Sequence, residues 1–260
     1  MDKSELQILQ ELASSGDTNA ILELVNYYLS IKDFKNAFLA ARRFEYFTCE
    51  LGYKTLGDFY LKGIGTPVDL DKAISYYSKG YEIGNYDCGY QLASLLIKQK
   101  EYSSAIPYLA SGVNNNHIPS IKLMANLYLT GNGVLENKDI SINLLKRVLA
   151  LGDQSVSDTL GRIYFSKQEY SEAFRYFVVG ANNKNVNSIY HLGLCYAKGY
   201  GTRQDFNLAR QYYQMGANMN EPRSLYNLSL YYRDGISVPK NEELAHKLYE
   251  QAIQNGFKVN

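Results

Sequence analysis

Two glycines, Gly63 and Gly65, stand in the segment LKGIGTPVDLDKA, and glycines at such short spacing can belong to a phosphate-binding loop. Such a loop surrounds a phosphate with backbone N–H groups at the start of a helix, which would indicate a nucleotide-dependent enzyme. It also requires a strand before it and a Lys-Ser/Thr after it, or a dinucleotide-binding fold around it. Here a helical pattern precedes the glycines, and the motif recurs along the chain. The sequence therefore favours a tight turn between two packed helices.

Other residue types that catalyse reactions or bind metals are scattered. The histidines His117, His191 and His246 occupy three different positions of the repeat described below, and none begins a metal-ligand spacing with another His or a Cys. We find no pairing of a base with a nucleophile that would indicate a catalytic site. The sequence predicts a non-catalytic protein without a metal or a cofactor.

Cysteine content and charge narrow the class of protein. Cys49, Cys88 and Cys195 are far apart and odd in number, which does not resemble a disulfide framework. The 27 basic and 26 acidic residues give a formal net charge of +1 without long runs of one sign, which does not indicate nucleic-acid binding. No stretch is apolar for the roughly 18 residues that a membrane span needs. We expect a cytoplasmic protein with no integral membrane segment, unless a signal peptide has been removed.

The chain repeats a short motif, in which a Leu or Met is usually followed four residues later by Tyr. Successive copies are 32, 36, 32, 36, 32 and 36 residues apart. We call the first residue of each copy an anchor, and the anchors are Leu24, Leu56, Leu92, Met124, Leu160, Leu192 and Leu228. A small residue follows each anchor by 13 or 17 positions, and these residues are Ala37, Ala73, Ala105, Ser141, Ala173, Ala209 and Ala245.

Apolar residues recur at intervals of three and four around both motifs, which predicts two helices in every repeat. The long repeats carry a four-residue insertion between the helices. A glycine just past the first helix is expected to adopt a left-handed backbone conformation there, as at Gly63, Gly131, Gly199 and Gly235. Pro107 lies inside the predicted second helix of the third repeat, where it predicts a kink or a late helix start.

The segments from Leu56 to Tyr77 and from Leu192 to Tyr213 resemble the Sel-one-like repeat (SLR), a relative of the tetratricopeptide repeat. The short repeats are more similar to the tetratricopeptide form. This resemblance implies an all-α fold, a right-handed superhelical solenoid of about seven helix-turn-helix repeats. We expect a capping helix in residues 1–17 and a single solenoid in residues 18–260. The predicted repeats are 18–49, 50–85, 86–117, 118–153, 154–185, 186–221 and 222–260.

The resemblance also implies a protein-interaction scaffold or adaptor that binds a protein or peptide in a concave groove of first helices. In the related family, first-helix residues two before, two after and five to six after the anchor line that groove. The corresponding residues here are Asn26, Lys54, Asp58, Lys62, Tyr90, Ser94, Lys98, Lys122, Asn126, Asp158, Arg162, Tyr190, Lys198, Tyr226 and Arg233. Tyrosine and arginine in this set favour a partner with acidic and apolar features.

Three alternatives remain at this point. Lys122 and Asn126 resemble the start of a clamp for a C-terminal carboxylate, although Asp158 in the next repeat would repel an anion. An immunity or inhibitor protein that wraps around a toxin or enzyme would use the same solenoid. An enzyme of the β-lactam-hydrolysing type, described for cysteine-rich relatives, is less favoured because this chain lacks their paired cysteines.

Overall fold

A computed structural model describes residues 3–47 and 49–258 of the chain. Met1 and Asp2 of the predicted cap, Thr48 of the first predicted repeat, and Val259 and Asn260 of the seventh lie outside the described residues. The described residues contain fifteen α-helices, two short 3-10 helices and no strand, which confirms the all-α prediction. Two compact units divide the chain, Met1–Asn137 and Lys138–Asn260, and we call them the N-terminal unit and the C-terminal unit.

The N-terminal unit holds eight α-helices and the 3-10 helix Arg42–Tyr46. The α-helices are α1 (Lys3–Ser14), α2 (Thr18–Ser30), α3 (Phe34–Ala41), α4 (Glu50–Lys62), α5 (Leu70–Glu82), α6 (Tyr86–Lys98), α7 (Tyr102–Asn114) and α8 (Ile118–Thr130).

The C-terminal unit holds seven α-helices and the 3-10 helix Gln154–Val156. The α-helices are α9 (Lys138–Ala150), α10 (Ser157–Ser166), α11 (Tyr170–Asn182), α12 (Val186–Lys198), α13 (Phe206–Asn218), α14 (Pro222–Asp234) and α15 (Glu242–Gln254). The boundary between the units falls between α8 and α9. The exact number and limits of the repeats stay predictions.

The helix ends follow the local sequence. Gly63, Gly131, Gly199 and Gly235 follow the first helices of the long repeats with φ of 67°, 69°, 74° and 72°, which confirms the predicted left-handed turns. Each of these glycines has a helix before it, where a phosphate loop of the known types has a strand, and another helix after it. The glycines therefore form turns between helices.

First and second helices pack through a pairing of a small residue with a ring. Gly57, Gly161 and Gly193 each follow an anchor directly, and the rings of Tyr77, Phe177 and Tyr213 from the second helix lie against them. These three rings are at most 1% exposed. In the third repeat the residue after the anchor is Ala93, which is larger than glycine, and the buried second-helix residue is Leu109, which is smaller than an aromatic residue. Volume is therefore conserved between the two helices of a repeat.

A second small-residue contact joins several of the repeats to the next. Gly112 of α7 lies against Ser120 of α8, and Gly180 of α11 lies against Ser188 of α12. A side chain at either glycine would occupy the space of the serine hydroxyl. The close approach holds consecutive helices together within each unit, as the contacts of α7 with α8 and of α11 with α12 show.

The first helix, α1, packs on α2 and buries Leu9 and Ala13. Arg43 adds polar contacts, because its Nη1 donates to the carbonyl oxygen of Gln10 over 3.3 Å and to Ser14 Oγ over 3.2 Å. This helix thus covers apolar side chains of the adjoining helix pair, which is the role that a terminal cap requires.

Of the two outcomes predicted for Pro107, a kink or a late helix start, the structure contradicts the late start. α7 begins at Tyr102, ten residues after its anchor, which is also the spacing of α11 from Leu160. Pro107 therefore does not delay the start of the helix. Its ring lies on the exposed side of α7, where water can hydrate the carbonyl group that loses its hydrogen bond.

Candidate protein-interaction surface

Each first helix has a side that faces away from its buried anchor. Successive helical residues are rotated by about 100°, so residues two before, two after and five after the anchor lie about 160°, 200° and 140° from it. We call this side the first-helix face. Within each unit, neighbouring first helices contact one another, as α4 does α6 and α12 does α14. Neighbouring faces are thus brought next to each other.

The fifteen residues predicted to line a groove differ in exposure. The exposed ones are Asn26, Lys62, Lys98, Asn126, Arg162, Lys198 and Arg233. The half-buried ones are Lys54, Asp58, Tyr90, Ser94, Lys122, Tyr190 and Tyr226. Asp158 alone among the fifteen is buried, at 6% exposure. Within each unit the structure thus leaves most of these side chains accessible, and their role in binding stays a prediction.

Asp58 takes part in a contact between helices in the N-terminal unit. Its Oδ2 lies 3.0 Å from Lys54 Nζ, and its Oδ1 accepts a hydrogen bond of 2.6 Å from the hydroxyl of Tyr77. Burial, together with this bond to a carboxylate, raises the pKa of Tyr77, so the phenol stays protonated. Lys54 and Asp58 therefore stabilise the α4–α5 pair, whether or not they also meet a partner.

Asp158 corrects one expectation from the sequence. We expected it on an open surface where it would repel an anion, but its Oδ1 accepts a hydrogen bond of 3.1 Å from the buried hydroxyl of Ser188. Arg162 Nη1 lies 3.6 Å from its Oδ2. Asp158 is enclosed at the contact between α10 and α12. Since Asp158 and Ser188 are 30 residues apart in the sequence, no local pattern indicated this contact.

An apolar row on the first-helix face of the N-terminal unit was missed. The sequence predicts that lysines six residues after the anchors line the groove. In this unit the residues five after the anchors are apolar and half-buried. This row consists of Leu29, Leu61, Ile97 and Leu129. A constant five-residue spacing from the anchor is the signal that would have found it. Apolar side chains beside exposed lysines give the face both contact area and charge.

Three residues of the N-terminal unit, a Ser, a His and an Asp, are joined by hydrogen bonds, and these are the residue types of the serine-hydrolase catalytic triad. His117 Nδ1 lies 2.8 Å from Ser120 Oγ, and its Nε2 lies 3.1 Å from Asp87 Oδ1. Sequence spacing did not indicate this arrangement, because Asp87 is 30 residues from His117. Ser120 is fully buried against Gly112, so its hydroxyl has no open side for a substrate. These hydrogen bonds join α6 to α8 and stabilise the contact between the two helices.

Among residues 3–47 and 49–258, no group of three or more His, Cys, Asp or Glu side chains is arranged to hold a metal ion. No helix in that part of the chain has the length and apolar character to cross a membrane.

The repeat pattern matches a known protein family. The sequence profile of the Sel1 repeat matches residues 50–85, 120–153, 186–221 and 222–257, which together make up more than half of the chain. The chain belongs to the Sel1 repeat family. This confirms the family resemblance. The matched segments of this Sel1 repeat protein are those with the four-residue insertion, and they place Gly63, Gly131, Gly199 and Gly235 in equivalent positions.

Solved structures share the fold of this Sel1 repeat protein. A protective antigen of uropathogenic Escherichia coli with an SLR fold has a TM-score of 0.87 and 20% identity over 96% of this chain, which spans 56% of that protein's length. A Sel1 repeat protein from Oxalobacter formigenes has a TM-score of 0.73 and 21% identity over 90% of this chain and 97% of its own. The C-terminal part of a TPR repeat-containing protein from Cytophaga hutchinsonii has a TM-score of 0.59 and 15% identity, over 89% and 94%.

These structures show the fold alone. No curated protein sequence matches the chain significantly.

Proposed function

We propose that this Sel1 repeat protein is a non-catalytic scaffold or adaptor that binds a protein or peptide partner on its first-helix faces. The observation that carries the proposal is a repeated surface: the first helices of the N-terminal unit share an apolar residue five after the anchor, and several first helices of both units add a tyrosine two before it or a lysine six after it. Stacked repeats create extended binding surfaces in this way. The family is one whose repeats mediate protein–protein interactions.

The composition of the faces supports a protein partner. Tyr90, Tyr190 and Tyr226 are half-buried at the position two residues before the anchor. Tyrosine offers a large contact area with little side-chain entropy to lose, and it is common among the residues that dominate interface energetics. The half-buried apolar row beside Lys62 and Lys98 combines an apolar centre with a charged rim.

Lys62 and Lys98 allow a clean test in the N-terminal unit. Both are exposed and lie in the last turns of α4 and α6, where an acidic side chain opposes the helix dipole, so each change to Glu should cost about 1 kcal/mol or less. Lys54 is less suitable, because its reversal would also break the ion pair with Asp58. The matched control is Lys35→Glu, an exposed lysine on the second helix α3.

The partner would be captured on the immobilised protein, identified by mass spectrometry and purified for titration. We expect the Lys62→Glu/Lys98→Glu variant to bind it at least about tenfold more weakly, and the Lys35→Glu variant to bind as the unchanged protein does. Tyr90→Ala should weaken binding further, because a buried aromatic anchor contributes about 2 kcal/mol or more. Loss of affinity in the Lys35→Glu variant alone would place the site on the second helices and refute the proposal.

A further inference from the structure

Arg223 of α14 is held in one orientation by three neighbours. Its Nε donates to Glu221 Oε1 over 2.6 Å, and its Nη2 donates to Asn187 Oδ1 of α12 over 2.7 Å. Its guanidinium carbon lies 4.1 Å from the centre of the Tyr190 ring, which is a cation–π distance. Glu221 is buried, and its Oε2 accepts the backbone N–H of Ser224. The guanidinium is therefore fixed before any ligand arrives.

Part of this guanidinium is left for a ligand. Nη1 of Arg223 makes no hydrogen bond or ion pair to any residue that the structure describes. The Arg223 side chain is 38% exposed whereas that of Glu221 is 4% exposed, so the pair presents its cationic member to solvent. Arg223 is five residues before its anchor and Tyr190 is two before its own, which puts both on the first-helix face.

The N-terminal unit contains an equivalent junction that lacks this spare donor. Tyr90 corresponds to Tyr190, and His117 corresponds in the repeat to Glu221. There the His117 ring lies 6.2 Å from the Tyr90 ring and joins Asp87 to Ser120 through both of its nitrogens. A junction between first helices can thus be made with every donor and acceptor used. Arg223 supplies more hydrogen-bond donors than joining its two helices requires.

The exposed side of Arg223 is accessible to an anion. The exposed cations of the other first helices in this unit lie elsewhere, since Lys198 ends α12 whereas Asn187 begins it, and Arg162 of α10 pairs with Asp158. The acidic groups on these faces are engaged, since Asp158 is buried and Asp234 pairs with Arg233 over 2.8 Å. A carboxylate that approaches Arg223 therefore meets the exposed guanidinium, whereas the paired Glu221 is shielded from solvent and no acidic side chain of α10 or α12 is accessible to repel the anion.

We propose that Arg223, stacked on Tyr190, binds a carboxylate of the partner, an Asp or Glu side chain in a segment that crosses α12 and α14. The guanidinium suits a carboxylate because the unused Nη1 can donate a charge-assisted hydrogen bond, and its fixed orientation removes the entropic cost of ordering it. This inference rests on the proposed function, because it specifies the chemistry of the partner on the same face. It adds a residue that spacing from the anchors did not select.

The test uses capped hexaglutamate and hexaglutamine peptides and protein labelled with nitrogen-15. The Nε–H resonance of Arg223, assigned by its loss in Arg223→Lys, should shift and saturate with hexaglutamate and stay unchanged with hexaglutamine. Arg223→Lys keeps the charge beside Glu221 but loses the planar donor set and the stacking. We expect it to bind hexaglutamate about tenfold more weakly, which corresponds to a loss of about 1.4 kcal/mol in binding free energy.

Arg203→Lys is the matched control, because Arg203 is an exposed arginine in the loop between α12 and α13. It should bind hexaglutamate as the unchanged protein does. An unshifted Arg223 resonance, or equal affinity losses in Arg203→Lys and Arg223→Lys, would overturn the proposal. If Arg223→Lys does not fold, the variant Tyr190→Leu tests the stacking surface instead. We expect it to bind hexaglutamate several-fold more weakly. Unchanged affinity would count against the proposal.

The two proposals fail in distinguishable ways. The Lys62 and Lys98 reversals test the first-helix face in the other unit with the captured partner. If these reversals weaken binding of the partner while the Arg223 resonance does not shift with hexaglutamate, the scaffold function stands and the carboxylate site is wrong. If neither effect is seen, both proposals are wrong.

Discussion

Replacing Gly161 by Ala tests how the first helices accept the rings of the second helices. A methyl group at Gly161 would lie 2.6 Å from Cδ1 of Phe177, well inside the roughly 3.5–4.0 Å at which carbon atoms pack. Phe177 is fully buried and stacked on His191 at 4.5 Å, so its ring has little room to move away. We therefore expect the added methyl group to strain the α10–α11 contact.

The magnitude follows from two opposing terms. Overpacking a core by one methyl group costs about 1–3 kcal/mol. Replacing a helical glycine by alanine returns about 0.8–1 kcal/mol. Gly161→Ala should thus lower the free energy of unfolding by about 1 kcal/mol, which in a chain of this size lowers the melting temperature by about 2–4 °C.

The double variant Gly161→Ala/Phe177→Leu recreates the pairing that the chain itself uses at Ala93 and Leu109, both of which are fully buried. Phe177→Leu alone should destabilise by about 1–2 kcal/mol, because it loses apolar area and the stacking on His191. In the double variant the new methyl group fills the space that the ring leaves. We expect it to be about 1–2 kcal/mol more stable than the sum of the single effects predicts.

The assay is thermal and urea unfolding followed by far-ultraviolet circular dichroism on the four proteins of the cycle. Coupling is measured as the difference between the double variant and the sum of the single variants. Effects that add within about 0.5 kcal/mol would refute the view that glycine and ring occupy one shared volume.

Three further predictions concern stability and reactivity. Ser141→Ala should raise the free energy of unfolding by about 1 kcal/mol, because the buried Ser141 hydroxyl has no hydrogen-bond partner among the described residues; a lower melting temperature would contradict this. Deleting residues 1–15 should lower the melting temperature or cause aggregation, because α1 covers apolar residues of α2, and unchanged melting and solubility would show that α1 is not a cap. Burial raises the pKa of Cys88 and Cys195 to about 12. Iodoacetamide at about pH 8 should therefore label the half-buried Cys49 first and the other two cysteines only after unfolding. Equal labelling rates in the folded protein would contradict the burial of Cys88 and Cys195.

Local sequence signals were sufficient to predict the helices and the family. The recurring anchors predict which side of each first helix is buried, and all seven anchors are at most 6% exposed. Gly63 and its equivalents predict the helix ends, because the left-handed conformation there favours a residue without a Cβ. These signals act over about four to seventeen residues, within one repeat, so the periodicity alone reveals them. Repeat limits, the cap and the binding role of the face stay predictions.

Contacts between repeats were decided only by the tertiary structure. Asp158 was expected on an open face and is buried, because Ser188, 30 residues later, is brought to it by the next first helix. Arg223 and Asn187 are 36 residues apart, and no local pattern indicates that they meet. Such contacts depend on how closely two helices approach and on which rotamer each side chain adopts. Sequence periodicity determined which face each helix presents, and packing between repeats decided which of its polar groups are engaged and which remain available to a partner.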